Sequence, residues 1–192
     1  MSRFNELTEI FGDDVLYDSA ERDSSGIERY SIDQVGDERY RRIPRAVVFP
    51  STSEQVAALM RWANETETPV TARGGGSGLA GAAIPVERGV VCSFEKMNRI
   101  IEIDTKNLIA VVEPGVVTNA LDQALEPYGL FFAGYPMSED ICYIGGNVAE
   151  NAGGGRAIKY GTTSRWSVGA EVVTADGSIL HLGGKRLKDV TG

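Results

Sequence analysis

Arg73-Gly74-Gly75-Gly76-Ser77-Gly78-Leu79-Ala80-Gly81 is the stretch on which the fold turns. Five of its nine residues are glycine. By letter, Gly76-x-Gly78-x-x-Gly81 matches the dinucleotide-binding fingerprint. That fingerprint needs a helix to begin inside the loop, so that its N-terminus meets a pyrophosphate. Here Ala82-Ala83-Ile84-Pro85-Val86-Glu87-Arg88-Gly89 follows, with Pro85 and Gly89 where the helix should run. A Rossmann site is therefore not expected. A nucleoside-triphosphate loop is excluded too, because no Gly-Lys-Ser/Thr follows the glycines. Consecutive glycines can still turn their N–H groups inward and form an anion-binding concavity without a helix. Ser77 adds a hydroxyl donor.

Upstream, the pattern places this loop after a strand. Ala46-Val47-Val48-Phe49 lies between Pro44 and Pro50 and reads as a strand. Ser51-Thr52-Ser53-Glu54 has the form of a capping box, and Val56, Leu59, Met60 and Ala63 then share one helical face. Pro69-Val70-Thr71-Ala72 is the next strand. Strand, helix, strand predicts a β-α-β unit with parallel strands. Phe4, Leu7, Ile10 and Phe11 predict a short N-terminal helix. Residues 12 to 45 are polar and poorly periodic, and are expected to wrap over the surface.

Downstream, strands are expected at 89–94, 100–103 and 108–113. A helix is expected from Thr118 to Tyr128, stopping at Gly129. A second glycine-rich stretch covers 144–155. The last feature is a hairpin, Val168 to Thr174 and Ile179 to Leu182, turning at Asp176-Gly177. If residues 147 to 151 form one helical turn, Asn147 and Asn151 share a face. Amides carry donor and acceptor together, which suits the edge of a heterocycle. Tyr160 reads equally as core packing or as part of this site.

The whole chain narrows the function classes. It has 192 residues, 42% hydrophobic and 24% charged, which suits a globular domain. Its formal net charge is -8 and it has no basic stripe, against a nucleic-acid binder. Arg39-Tyr40-Arg41-Arg42 reads as a solvated linker. Cys92, Cys142 and the single His181 cannot make a disulfide framework or a Cys/His zinc site. No signal peptide and no apolar run of membrane length is visible, so a cytoplasmic location is expected. Cys142 reads as a small buried thiol and His181 as structural.

Taken together, these residues resemble the FAD-linked oxidase family, whose flavin domain is shared with vanillyl-alcohol oxidase and p-cresol methylhydroxylase. The nearest likeness is to the branch that holds the D-type subunit of glycolate oxidase and the D-lactate and D-2-hydroxyglutarate dehydrogenases. Ala46-Val47-Val48-Phe49-Pro50 with Glu54-Gln55-Val56 resembles the family's opening. Arg73 to Gly81 resembles its pyrophosphate loop, and Val112-Glu113-Pro114-Gly115-Val116 fits a strand end. Ile144-Gly145-Gly146-Asn147-Val148-Ala149-Glu150-Asn151-Ala152-Gly153-Gly154 with Lys159-Tyr160-Gly161 is the most specific match.

The resemblance implies an α+β fold of two small α/β subdomains, the second one incomplete. Residues 1–45 would be the helix and wrapping segment. Residues 46–192 would be the FAD-binding domain, with 46–115 as its first subdomain and 116–192 as the start of its second. It implies that Arg73, Gly74, Gly75, Gly76, Ser77, Gly78 and Gly81 hold the FAD pyrophosphate. Pro136, Ser138, Gly145, Gly146, Asn147, Asn151 and Gly153 would line the path towards the isoalloxazine, and Val172 would lie near the adenine. Covalent members carry a histidine where this chain has Ser77, so FAD is expected to be non-covalent. Tyr135-Pro136-Met137-Ser138 departs from the Asp-Pro-Ser-Ser usual in the near branch.

The implied activity is oxidation of a small 2-hydroxy acid, such as glycolate or D-lactate, by hydride transfer to flavin N5, with electrons passing to another acceptor, such as a protein. No catalytic acid–base pair and no metal site is expected within this chain. The family continues beyond the point matched by Gly192, so an N-terminal fragment is expected, inactive on its own. A rival reading is a cofactor-holding half that needs a partner polypeptide. Another is a different branch of the flavin fold, such as a sugar oxidase or cell-wall precursor reductase; the Gly-Gly-Asn and Asn-Ala-Gly-Gly pairs count against it.

Overall fold

A computed structural model describes residues 4–18 and 26–186. Residues 19–25 of the expected wrapping segment and the last six residues of the expected second subdomain lie outside the described residues. The chain divides into two compact units. One comprises Met1–Lys96 with Val173–Ile179, the other Met97–Val172 with Leu180–Gly192.

The first unit is built on a four-stranded sheet in the order β1-β2-β4-β3, from Val15–Tyr17, Ala46–Val48, Val70–Arg73 and Val90–Ser93. β2 and β3 both run parallel to β4, which lies between them. The expected parallel β-α-β unit is therefore present, with a third strand inserted. β2 is a continuous apolar run and β4 is apolar up to its last residue, Ser93, and every residue in both is buried. That is the pattern of a parallel sheet covered on both faces.

One cover is α2, Ser53–Glu65, which buries Val56, Ala57, Leu59, Trp62 and Ala63. Thr52 caps it, accepting from Gln55 N, and the Gln55 side chain reaches back to Ser51 N. The box is thus one residue later than the sequence suggests. α1, Asn5–Phe11, packs here through an edge-on contact of Phe4 with Trp62, whose indole donates to Glu6.

On the other side, Val47, Phe49 and Val91 pack against Ile27 and Tyr30. The segment expected only to wrap the surface therefore supplies core residues, and also β1, paired antiparallel to β2. A three-residue strand between aspartates has too short a pattern to show in sequence. The basic run at 39–42 is locally neutralised, Arg39 by Asp37 and Arg41 by Glu38.

In the second unit, β5 (Ile100–Asp104) and β6 (Ile109–Val112) form an antiparallel pair with an irregularity at Ile101. α3, Thr118–Leu125, packs Leu121 and Leu125 with Val116, Ile103, Val112 and Ile144. The expected helix to Tyr128 tightens to a 3-10 turn at Glu126–Tyr128, where Pro127 cannot continue the α ladder. Gly129 then closes it in the left-handed conformation, φ 68°. Two short helices follow, α4 (Ile144–Ala149) and α5 (Ala157–Tyr160). β7 (Gly169–Val173) and β8 (Ile179–Gly183) form the expected hairpin. Its turn residues count with the first unit, where α2 holds them: Arg61 Nη1 donates to Gly177 O at 3.1 Å and Asn64 Nδ2 to Ala175 O at 2.6 Å.

Candidate functional site

In the first unit the carboxyl ends of β2, β3 and β4 share one sheet edge, because the three strands are parallel. That edge is where open α/β sheets place ligands. The glycine loop leaves β3 at this edge. From Gly74 to Ala80 it is neither helix nor strand. Among the described residues, no oxygen accepts from the N–H groups of Gly75 to Ala80. These six consecutive donors lie on an exposed or half-exposed loop without a protein acceptor, so they are free to serve an anion.

The loop is held at its ends. Arg73 is buried, and its guanidinium donates to Arg29 O (3.1 Å), Ile32 O (3.0 Å) and Ala83 O (2.9 Å). Burial works against its charge and lowers its pKa. Gly81 N donates to Asp33 Oδ2 at 3.0 Å. Gly76 lies directly over the guanidinium. A Cβ there would stand 2.1 Å from Arg73 Nη2, and φ is 70°. So Arg73, expected among the cofactor contacts, has its side chain committed to protein carbonyls. Gly74 to Gly78, Ser77 included, form the exposed or half-exposed rim. Beside it, Leu79, Ala80, Gly81 and Ile84 line an open groove of about 390 Å³ with Asp33 and Tyr40.

Next to the loop, Glu95 accepts from Tyr30 OH at 2.6 Å and from Ser93 Oγ at 3.0 Å. Burial first, and the Glu95 bond second, hold the Tyr30 phenol well above its ordinary range. In the middle of β4, burial pushes the Cys92 thiol up to about 12, which makes it inert at neutral pH.

The second unit gathers most of the other expected residues. α4 starts at Ile144 with Gly145 pressed on Pro114: Gly145 N donates to Pro114 O at 2.8 Å, and a Cβ would stand 2.6 Å from Pro114 Cβ. Gly146 is different. A Cβ there would meet nothing within 4 Å. Asn147 is buried and its Nδ2 donates to Thr118 Oγ1 at 2.7 Å. Thr118 Oγ1 donates to Cys142 O at 3.2 Å, and Cys142 N donates to Ser138 O at 2.8 Å. One hydrogen-bonded chain thus joins Ser138, Cys142 and Asn147. Cys142 is buried, as its small apolar role requires.

Asn151 does not share a helical face with Asn147. α4 ends at Ala149, and Asn151 sits beyond it at φ 50°, accepting from Ser164 N at 3.0 Å. The glycines on either side give the backbone freedom to break the turn, which the spacing of the two asparagines conceals. A Cβ on Gly153 would stand 3.0 Å from the Thr162 methyl. Gly154 packs on the backbone of Tyr135, Pro136 and Met137, with 2.3 Å from its Cβ position to Tyr135 O. Pro136 is therefore brought against the second glycine stretch, while Ser138 joins it only through the hydrogen-bonded chain to Asn147. Tyr160 is half-buried and meets Phe131 edge-on. Val172 lies half-buried on β7. His181 is exposed, 3.6 Å from Glu171. Asp33 escapes sequence reasoning, and Pro114 and Thr118 are read only as a strand end and a helix start; a single polar residue far from the glycines leaves no local signal of a site.

A family model described as an FAD binding domain matches residues 44–183. The chain belongs to this family. Glycolate oxidase subunit GlcD of Bacillus subtilis is 43% identical over 154 residues, 80% of this chain and 33% of the relative. A D-lactate dehydrogenase of Archaeoglobus fulgidus is 46% identical over 146 residues, 76% and 32% of the two chains. The FAD-binding domain thus spans about a third of the length of the curated relatives it matches. A crystal structure of p-cresol methylhydroxylase with substrate bound superposes with a TM-score of 0.71 at 27% identity, covering 94% of this chain and 35% of the other. The fold is therefore the p-cresol methylhydroxylase type of FAD-binding domain, α+β as expected, and FAD is the cofactor the family takes. No helix among the described residues is long and apolar enough to cross a membrane. No group of three or more His, Cys, Asp or Glu among them could hold a metal ion.

Proposed function

We propose that this domain holds the FAD of a flavin-dependent oxidoreductase that oxidises a 2-hydroxy acid. The observation that carries the reading is the row of unpaired N–H groups from Gly75 to Ala80, at the carboxyl edge of a parallel sheet in an FAD-binding domain. They offer donors to a pyrophosphate, with Ser77 Oγ adding one more. Gly145, Gly146, Asn147, Asn151, Gly153, Pro136 and Ser138 are assigned to the isoalloxazine side and Val172 to the adenine side. Gly146 fits this assignment best, since its Cβ position opens on empty space.

The chemistry supplied by bound flavin is acceptance of a hydride at N5 from the substrate C2, followed by electron transfer to an acceptor. The chain's own part is to bind and orient the cofactor. Ser77 offers no nitrogen for a covalent link and Cys142 is buried, so the flavin is held non-covalently. The relatives' names, a glycolate oxidase subunit and D-lactate and D-2-hydroxyglutarate dehydrogenases, support a hydroxy-acid substrate and a partner polypeptide. The free, buried Cys92 and Cys142 agree with a reducing, cytoplasmic setting.

The test has two arms. After acid denaturation of the FAD-loaded domain, all flavin is expected in the supernatant; flavin that stays with the protein contradicts the non-covalent assignment. In anaerobic mixing with glycolate, D-lactate and D-2-hydroxyglutarate, the domain together with its substrate-binding portion is expected to bleach its flavin absorbance with at least one. An oxidised flavin after all three contradicts the substrate class.

A further inference from the structure

We infer that Arg73 and Asp33 position the glycine loop from beneath, clamping both its ends to the segment 29–33, and that neither side chain contacts the anion. The inference rests on the reading of the loop as the FAD pyrophosphate cradle. Arg73 is the last residue of β3 and Gly81 the last glycine of the loop, so these two points bracket the donors. At the first, one guanidinium spans three carbonyls: Arg29 O through Nη2, Ile32 O and Ala83 O through Nη1. At the second, the Asp33 carboxylate is shared between Gly81 N through Oδ2 and Val35 N through Oδ1, each 3.0 Å. The two anchors lie one residue apart, at Ile32 and Asp33. Ile27 and Tyr30 fix that segment in the core, 1% and 2% exposed.

The arrangement explains a contradiction in the local charge. A loop that binds phosphate next to an arginine would ordinarily use the cation directly. Here the cation is 8% exposed, against Gly76, with its donors on three protein carbonyls. A carboxylate, which would repel a phosphate, is engaged by two N–H donors instead. Both charges are thereby spent on holding the loop open, and the unpaired amides are left as the neutral recognition surface. The planar fork is what lets one side chain serve three carbonyls at fixed positions: Nη1 reaches Ile32 O and Ala83 O in two segments, and Nη2 reaches Arg29 O as well. A lysine keeps the charge and loses the fork.

The experiment compares FAD affinity, its salt dependence and amide hydrogen exchange of peptides covering 75–84 in the whole chain and in Arg73→Lys, Arg73→Met, Asp33→Ala and Asp33→Asn. The clamp expects Arg73→Lys to weaken FAD binding as much as Arg73→Met does, roughly tenfold to a hundredfold, from carbonyls left without a donor. It expects the salt dependence to stay that of the wild type and exchange in the loop to quicken. Arg73→Lys binding like wild type, or Arg73→Met alone losing salt dependence, shows a direct cation contact and overturns the inference. If the arginine variants fail to fold by thermal melting, the Asp33 pair decides: Asp33→Ala is expected to weaken binding more than Asp33→Asn, which keeps one acceptor oxygen, and equal wild-type affinity in both overturns the clamp. If the wild-type chain takes up no FAD, the binding assignment fails on its own account. The clamp is then judged by exchange alone, and unchanged exchange in every variant overturns it.

Discussion

Glycine does two different jobs in this chain, and a Cβ separates them. At Gly145 the added carbon would stand 2.6 Å from Pro114 Cβ and 3.0 Å from Pro114 O, so Gly145→Ala must move backbone. It is expected to cost about 1–3 kcal/mol, as overpacking does, seen as a lowered melting temperature. At Gly146 the carbon meets nothing, and the residue lies within α4. Gly146→Ala is expected to hold or raise stability by roughly 0.5–1 kcal/mol while weakening flavin binding, measured by fluorescence titration. Unchanged binding would remove Gly146 from the cofactor path. Gly76→Ala combines a φ of 70° with a clash on the Arg73 guanidinium. Its expected outcome is loss of FAD binding before loss of fold, since the loop rim is exposed. The letters show that these glycines matter, because they cluster. They cannot show which carry backbone contact and which carry empty space, because that depends on Pro114 and Arg73, distant or differently pointed residues.

At the scale of elements, local chemistry is most legible where it is repeated. α2 shows a long apolar stripe, so its helix is readable. Its cap is misplaced by one residue because Ser51, Thr52 and Ser53 all qualify, and only Gln55 reaching back to Ser51 N selects Thr52. Thr52→Ala is expected to lower stability by about 1 kcal/mol, measured by denaturant titration; no change would mean the cap is idle. The β5–β6 pair is closed by Glu113, which accepts from Arg99 N at 2.7 Å and from the Arg99 guanidinium. The Arg99 hydrogen bonds hold the Glu113 carboxyl below its ordinary value of 4.5. A depressed carboxylate stabilises the fold above its unfolded value and loses that contribution as pH falls through the folded one. Glu113→Gln is therefore expected to destabilise at neutral pH, by about 1 kcal/mol given that the guanidinium is exposed, and to match wild type in strong acid. A pH series of melts checks this; a gap that persists in acid contradicts it. β1 and the break of α4 before Asn151 are not readable. Three residues make no period, and a left-handed asparagine has no spacing signature.

At the scale of the molecule, the family resemblance comes from two glycine stretches in order, with a β-α-β unit before the first. The structure keeps each and corrects one surrounding: the polar N-terminal segment supplies core residues, Ile27 and Tyr30. What no pattern of letters contains is which backbone donors remain unpaired, because that depends on the positions of every possible acceptor. That set, Gly75 to Ala80, is the centre of the account. Its most direct test is a titration of the chain with FAD, FMN and riboflavin, read by flavin fluorescence. These share the ring and differ in phosphate: FAD carries the pyrophosphate and adenosine, FMN one phosphate, riboflavin none. The account expects FAD to bind at one equivalent, FMN more weakly and riboflavin weakest of all. Riboflavin binding as tightly as FAD would contradict it.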